Sequence, residues 1–277
     1  IVGLTIVAMG TSLPELAVSV TASLAGNNAL AVSNVIGSNI FNLMLVCGAC
    51  ALFAPLIVQK NTLKKEIPLS VVCVVLLLVL GLFGMEIGRT DGVILLILFI
   101  GFLVWMVKSA LKAHAESANL EESDNEYKIY PAWVCVIYIV GGAVAIKFGG
   151  DFVVDGASAV AMKAGLSQNL VGLTIVAMGT SLPEFVTSVV AARKNEVDMA
   201  FGNVIGSNIF NILFILGVTA TISPVAFIME NVIDSVILLI VSILVWVFAW
   251  SRLHIEKKEG IVLLACYAGY LLYICMR

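Results

Sequence analysis

Charge is the scarcest feature of this 277-residue chain: Asp, Glu, Lys and Arg together make up only 12% of it. A soluble domain carries about twice that share. With 61% hydrophobic residues and a mean hydropathy of +1.10, the chain cannot set enough polar surface against water to be a soluble globule. Histidine is nearly missing. His114 and His254 both sit in polar connections, which excludes an imidazole-based metal site inside a membrane, and there is no HExxH pattern. No basic cluster with interleaved aromatics occurs, so nucleic acid is not a partner. Cysteine is present but scattered. Cys73, Cys135, Cys266 and Cys275 stand singly in apolar runs, where a thiol behaves as a small hydrophobe. Cys47 and Cys50 have a redox-like spacing, yet in an apolar helix they are two packing residues one turn apart. Nothing here implies a cofactor.

What the chain has in quantity is long apolar runs. A helix that crosses a bilayer needs about 20 residues. Nine such spans are predicted, over 1–23, 29–56, 67–86, 91–111, 131–155, 166–192, 197–222, 231–251 and 259–276, joined by short polar connections. The longest connection, 112–130, holds a cluster of Glu and Asp and reads as a solvated loop.

An internal repeat decides the architecture. Residues 3–15 read GLTIVAMGTSLPE, and residues 172–184 read the same. At a constant offset of 169, residues 2–55 match the second copy at 30 positions without a gap, including NVIGSNIFN at 34–42 and again at 203–211. Such self-similarity marks a duplicated unit. The copies start at the first and the sixth span, so five spans separate them and they enter the membrane from opposite sides. That is an inverted-topology repeat, with the site expected near mid-membrane where the copies meet. The second copy follows an apolar span, 131–155, whereas the first begins at Ile1. The expectation is therefore an all-α integral membrane protein of ten helices, nine of them in this sequence, with the first missing. It divides into a first membrane half at 1–111, an acidic loop at 112–130 and a second half at 131–277. Eleven of the 15 Lys and Arg fall on one side of these spans. By the positive-inside bias that side, with the central loop, is cytoplasmic and the C-terminus is outside.

The repeated motifs carry oxygen ligands. Pro14 lacks an N–H and its ring clashes with the preceding turn, so it must break or kink its helix near Gly10 and Thr11. Irregular backbone at membrane depth is tolerated where it is buried or lines a wet cavity. Carbonyls beside hydroxyls and a carboxylate suit hard cations. Gly10 leaves room for another backbone. Gly179, Thr180, Ser181, Pro183 and Glu184 repeat the set. An intramembrane carboxylate is costly and marks an ion or proton path, which singles out Glu15 and Glu184. In GSNIFN, Ser38 and Asn42 lie four apart on one helix face, as do Ser207 and Asn211; they are read as ligands. Asn34, Asn39, Asn203 and Asn208 are read as hydrogen-bonding glue between helices, and Gly37 and Gly206 as close-packing positions. Two carboxylates among neutral oxygens give a charge of about −2, which matches one Ca²⁺ or two or more Na⁺; the lack of thiolate and imidazole disfavours Zn²⁺ and Cu⁺.

At these residues the sequence resembles the sodium/calcium exchanger family of the calcium/cation antiporter superfamily, and the short central loop resembles its prokaryotic members. GTSLPE and GSNIFN, each present twice, look like the family's two α-repeats, and the likeness covers essentially the whole chain. It implies ten helices and four cation sites. Glu15 and Glu184 would be the shared central ligands. Thr11 and Thr180 would offer backbone carbonyls to Ca²⁺. Ala8, Ser12, Ser38, Ala177, Ser181 and Ser207 would serve flanking Na⁺ sites, and Asn42 and Asn211 would complete the centre. The helix around 131–155 would be one of two that slide to alternate access. Some members, including potassium-dependent ones, carry Asp at the place of Asn211. The function implied is Na⁺/Ca²⁺ antiport across the plasma or inner membrane, with Ca²⁺ and Na⁺ as transported ions. H⁺/Ca²⁺ antiport is the alternative, but both second motifs end in Asn where proton-coupled relatives usually carry an extra acid. An enzyme such as an intramembrane aspartyl protease would need paired Asp within spans. Asp151 and Asp155 sit near the end of one, so no enzyme is expected.

Overall fold

The computed structural model describes residues 6–25, 28–117, 131–163 and 177–276. Helix α1 (Ala8–Thr11) runs into α2 (Leu13–Leu24) with a break of one residue at Ser12. Pro14 lies in the first turn of α2, where its missing N–H costs least. Next, α3 (Asn28–Phe41) passes through a π-helical turn at Asn42–Val46 into α4 (Cys47–Phe53). Strand β1 (Leu56–Ile57), helix α5 (Ile67–Leu82), strand β2 (Glu86–Ile87) and helix α6 (Arg89–Ser117) follow. Helix α7 (Ala132–Lys163) leads to the second copy, which has the same plan. Helix α8 (Ala177–Thr180) breaks at Ser181 before α9 (Leu182–Arg193). Helix α10 (Val197–Phe210) passes through a π-helical turn at Asn211–Ile215 into α11 (Leu216–Ile222). Strand β3 (Val225–Ala226), helix α12 (Met229–Arg252), strand β4 (His254–Ile255) and helix α13 (Lys257–Met276) complete the chain.

Among the described residues, six helices are long and apolar enough to cross a membrane: Ala31–Phe53, Thr62–Leu82, Arg89–Lys112, Val197–Ile222, Met229–Arg252 and Lys257–Met276. Three of the nine expected spans do not qualify. The first and sixth are divided at Ser12 and Ser181, and parts of both fall outside the described residues. The third is α7, 32 residues long or about 48 Å, which runs through the expected span 131–155 and is apolar over Trp133–Gly142. The apolar span ends at Lys112, and α6 continues to Ser117 through good helix formers. Most of the acidic loop lies outside the described residues.

The two spans that carry the asparagine motifs are the centre of the molecule. They are 78% buried within the protein, against 22–39% for the other four. Around them the two halves interlock: α6 of the first half packs on α11 of the second, α13 packs on α4, and α5 packs on α12. Glycine permits the two closest crossings. A Cβ on Gly260 would sit 2.8 Å from the carbonyl oxygen of Gly48, and one on Gly92 would sit 2.8 Å from that of Gly217. Small residues that let backbones approach are the usual means of packing helices in lipid. Gly10 and Gly37, expected to allow close approach, are not in this role. A Cβ on Gly10 or Gly37 would meet nothing within 4 Å, because both sit beside open space and not at a crossing.

Two short antiparallel ribbons tie the halves together and qualify the all-α expectation. In one, Leu56 faces Ile255 and Ile57 faces His254; in the other, Glu86 faces Ala226 and Ile87 faces Val225. Backbone that leaves a helix at the membrane surface still needs hydrogen-bond partners, and each half supplies them to the other. Val58 N–H donates to the Leu253 carbonyl at 2.8 Å, and Phe227 N–H donates to that of Met85 at 2.9 Å. Leu253 and Met85 take left-handed conformations, at φ 59° and 54°, to present those carbonyls. One span separates β1 from β2, so the ribbons lie at opposite ends of the helices. Beside β4, Arg252 contacts Glu256 at 2.7 Å. His254 and then Arg252 hold the Glu256 carboxyl below its usual range.

Gly92→Ala and Gly260→Ala should each destabilise the protein by about 1–3 kcal/mol, the usual cost of overpacking, and lower its melting midpoint in detergent. Gly101→Ala, with nothing within 4 Å of the added carbon, should not. Equal midpoints for all three variants and the parent would contradict the assignment of the crossings.

Candidate functional site

The local sequence explains how each motif residue reaches the centre. Pro14 has no N–H for the carbonyl of Gly10, one helical turn back, so the helix is reset at Ser12. Ser12, at φ −84° and ψ 8°, donates its N–H to Ala8 at 3.1 Å, and its carbonyl accepts from Leu16 at 3.2 Å. The break swings the Ser12 side chain toward the other half. Its hydroxyl donates to Glu184 Oε1 at 2.6 Å. The mirror contact is present too: the Ser181 hydroxyl donates to Glu15 Oε1 at 2.8 Å. All four side chains are completely buried. Each carboxylate is therefore positioned by its own half and held by the other.

The asparagines form a second, equally reciprocal layer. Within each half, Asn34 Nδ2 donates to Ser19 at 3.0 Å and lies 3.4 Å from the Glu15 carbonyl oxygen; Asn203 Nδ2 donates to Ser188 at 2.8 Å and lies 3.4 Å from that of Glu184. These two residues anchor the helices that bear the glutamates. Between halves, Asn39 Nδ2 donates to the Asn208 carbonyl at 3.2 Å, and Asn208 Nδ2 donates to the Asn39 carbonyl at 3.3 Å. Asn42 Nδ2 donates to Asn208 Oδ1 at 3.2 Å, and Asn211 Nδ2 donates to Asn39 Oδ1 at 3.0 Å. The glue role expected of Asn34, Asn39, Asn203 and Asn208 is thus what their side chains perform. The π-helical turns that begin at Asn42 and Asn211 had no sequence signal; such turns recur at functional sites.

Among the described residues, six buried oxygens at this centre have no hydrogen-bond partner: Glu15 Oε2, Glu184 Oε2, Ser38 Oγ, Ser207 Oγ, Asn42 Oδ1 and Asn211 Oδ1. A buried polar atom without a partner is uncommon and calls for a physical reason. Here three oxygens from one half match three equivalent oxygens from the other. Ser38 lies on the side of Glu15, and Ser207 and Thr11 on that of Glu184. Thr11 Oγ1 is 3.3 Å from both the Ala8 carbonyl oxygen and Asn203 Oδ1. Thr180 is half-buried at the matching position. Ala8 is fully buried, and the side chain of Ala177 lies outside the described residues. Among the described residues no three His, Cys, Asp or Glu come together, so the centre offers two carboxylates and neutral oxygens. That donor set suits hard cations. Cys47 and Cys50 are buried free thiols on the neighbouring helix turn, outside the set of unpartnered oxygens.

Comparison with known proteins agrees with this chemistry. A family model described as sodium/calcium exchanger protein matches residues 1–108 and 134–276. CaxA of Alkalimonas amylolytica is 40% identical over 281 residues, 98% of this chain and 86% of that protein. The sodium/calcium exchanger MaX1 of Methanosarcina acetivorans is 28% identical over 314 residues, 99% of this chain and 88% of the relative. The solved structure of the sodium-calcium exchanger NCX_Mj, soaked with zero Na⁺ and Ca²⁺, superimposes with a TM-score of 0.82 at 36% identity, covering 99% of this chain and 86% of that one. The chain belongs to the sodium/calcium exchanger protein family, whose members are membrane antiporters and not enzymes.

Proposed function

We propose that this protein exchanges Na⁺ for Ca²⁺ by alternating access, and that Glu15, Glu184, Ser38, Ser207, Asn42 and Asn211 are the central cation ligands. The observation that carries the reading is the matched set of six unpartnered, buried oxygens. Ca²⁺ takes six to eight oxygens, and its charge is neutralised by two carboxylates. The carbonyls of Thr11 and Thr180 supply further ligands to Ca²⁺. Ala8, Ser12, Ala177 and Ser181 flank the centre as Na⁺ ligands. Na⁺ entering the same region competes for the same carboxylates, so binding one ion favours release of the other, and that competition couples the two fluxes.

Alternating access follows from inverted repeats. Two halves of opposite orientation, 1–111 and 131–277, present one site that each can open to its own side. The unbroken helix α7 packs against α8 and α9, which suits it to slide past the second glutamate. The Lys-rich side, including Lys60, Lys64 and Lys65 next to β1, is cytoplasmic by the positive-inside bias, and Arg277 is outside. H⁺/Ca²⁺ exchange is the competing reading. The amide side chains at Asn42 and Asn211 favour Na⁺, since among the described residues no third carboxylate joins Glu15 and Glu184 to carry protons.

Flux measurements distinguish the two. In vesicles containing the protein, radiolabelled Ca²⁺ uptake should follow an imposed Na⁺ gradient and persist when a protonophore collapses the pH gradient. Uptake that needs no Na⁺ and stops with the protonophore would falsify Na⁺ coupling in favour of H⁺.

Glu15→Gln and Glu184→Gln should each lower Ca²⁺ flux at subsaturating Ca²⁺ by roughly 100-fold, equivalent to about 2.7 kcal/mol. The amide preserves shape and an acceptor oxygen, so the loss is electrostatic. Near-parental flux in either variant would remove that residue from the centre.

A further inference from the structure

We propose that Asn39 and Asn208 are positioning residues, each fixing which face of the other half's last motif amide, Asn211 or Asn42, is turned to the transported cation. The inference rests on the reading of Asn42 and Asn211 as ligands. It begins from a group with no freedom. A backbone carbonyl can only accept a hydrogen bond. Because Asn208 Nδ2 meets the Asn39 carbonyl and Asn39 Nδ2 meets the Asn208 carbonyl, the orientation of both amides is determined. The opposite end of each, Oδ1, is then an obligate acceptor. Asn208 Oδ1 takes Nδ2 of Asn42, and Asn39 Oδ1 takes Nδ2 of Asn211. With the amino end of Asn42 and of Asn211 turned to those acceptors, Oδ1 is the opposite end of each, and those oxygens are among the six without a partner.

The alternative orientation is electrostatically opposed. An asparagine side chain has an acceptor end and a two-hydrogen donor end of similar shape. If Asn42 were reversed, its Oδ1 would face Asn208 Oδ1 and its NH₂ would face the cation and its carboxylates. The carboxylates would then be satisfied by protein donors, and an entering cation would meet a positive dipole end. The three-residue spacing of Asn39 and Asn42, repeated in Asn208 and Asn211, gives each motif helix one amide that orients the partner helix and, a turn later, one that the partner helix orients. Each half thereby orients the other. All four side chains are buried, so water does not compete for these bonds.

A double-mutant cycle tests the proposal. Ca²⁺ affinity is measured without Na⁺, on purified protein, for Asn42→Ala, Asn208→Leu and the double variant; Asn211→Ala and Asn39→Leu form the mirror cycle. Each single variant should weaken binding by roughly tenfold, on the order of one charge-assisted contact. The double variant should bind as Asn42→Ala alone does, because Asn208 has no amide left to orient. If Asn208→Leu instead weakens binding by its full factor in the Asn42→Ala background, Asn208 acts through packing and the proposal is overturned while the ligand reading stands. If Asn42→Ala leaves affinity unchanged, both fall. Asn208→Ala replaces Asn208→Leu in the cycle if the leucine variant does not give monodisperse protein.

Discussion

Each of the two central carboxylates accepts its hydrogen bond from a serine of the opposite half, Ser12 for Glu184 and Ser181 for Glu15. Much of the architecture follows from that exchange. A carboxylate away from water is expensive, and a bundle whose halves each solvated their own glutamate could separate without penalty at the centre. Here each carboxylate draws a hydrogen bond from the other half. The asparagine layer repeats the pattern with amides, and the terminal ribbons repeat it with backbone, Leu56 against Ile255 and Ile87 against Val225. The glycine crossings at Gly48–Gly260 and Gly92–Gly217 then bring the outer helices of each half onto the motif helices of the other.

The site's polarity is the consequence. The amides of Asn34, Asn39, Asn42, Asn203, Asn208 and Asn211 each hold backbone or another side chain, and the Ser38 and Ser207 hydroxyls with one oxygen each of Glu15, Glu184, Asn42 and Asn211 remain without a partner. A cation site in a low-dielectric interior needs this asymmetry, since a single misdirected N–H opposes the ion. The Pro14 and Pro183 breaks are part of the same device: they release a helix for only one residue, enough to turn Ser12 and Ser181 across the interface without exposing unpaired backbone to lipid.

Much of this was legible in the sequence because the repeat is so faithful. Identical GTSLPE and GSNIFN blocks implied two copies of every ligand, and an intramembrane Glu in each fixed the kind of chemistry. Asn39 and Asn208 were distinguishable from Ser38 and Asn42 by helix face, but Asn34 and Asn203, four residues before Ser38 and Ser207, share that face. Less legible were the features that depend on which half touches which. Gly48 and Gly217 stand 169 apart (217 − 48), but their partners Gly92 and Gly260 stand 168 apart (260 − 92), so an ungapped comparison loses the second pair. Gly10 and Gly37, inside the motifs, drew attention as packing positions, yet they border open space. The break expected from Pro14 is present at Ser12, and its copy at Ser181. The π-helical turns at Asn42 and Asn211 left no trace in residue type.

One shared site for two kinds of ion is the central claim, and equilibrium binding tests it most directly. Ca²⁺ binding to the purified protein is titrated at a series of Na⁺ concentrations, with K⁺ or choline holding ionic strength constant. Na⁺ should raise the apparent Kd for Ca²⁺ without limit and leave no bound Ca²⁺ at saturating Na⁺, because both ions draw on Glu15 and Glu184. An apparent Kd that levels off as Na⁺ rises, with Ca²⁺ still bound, would show that the two ions occupy the protein together and would contradict a shared pair of carboxylates.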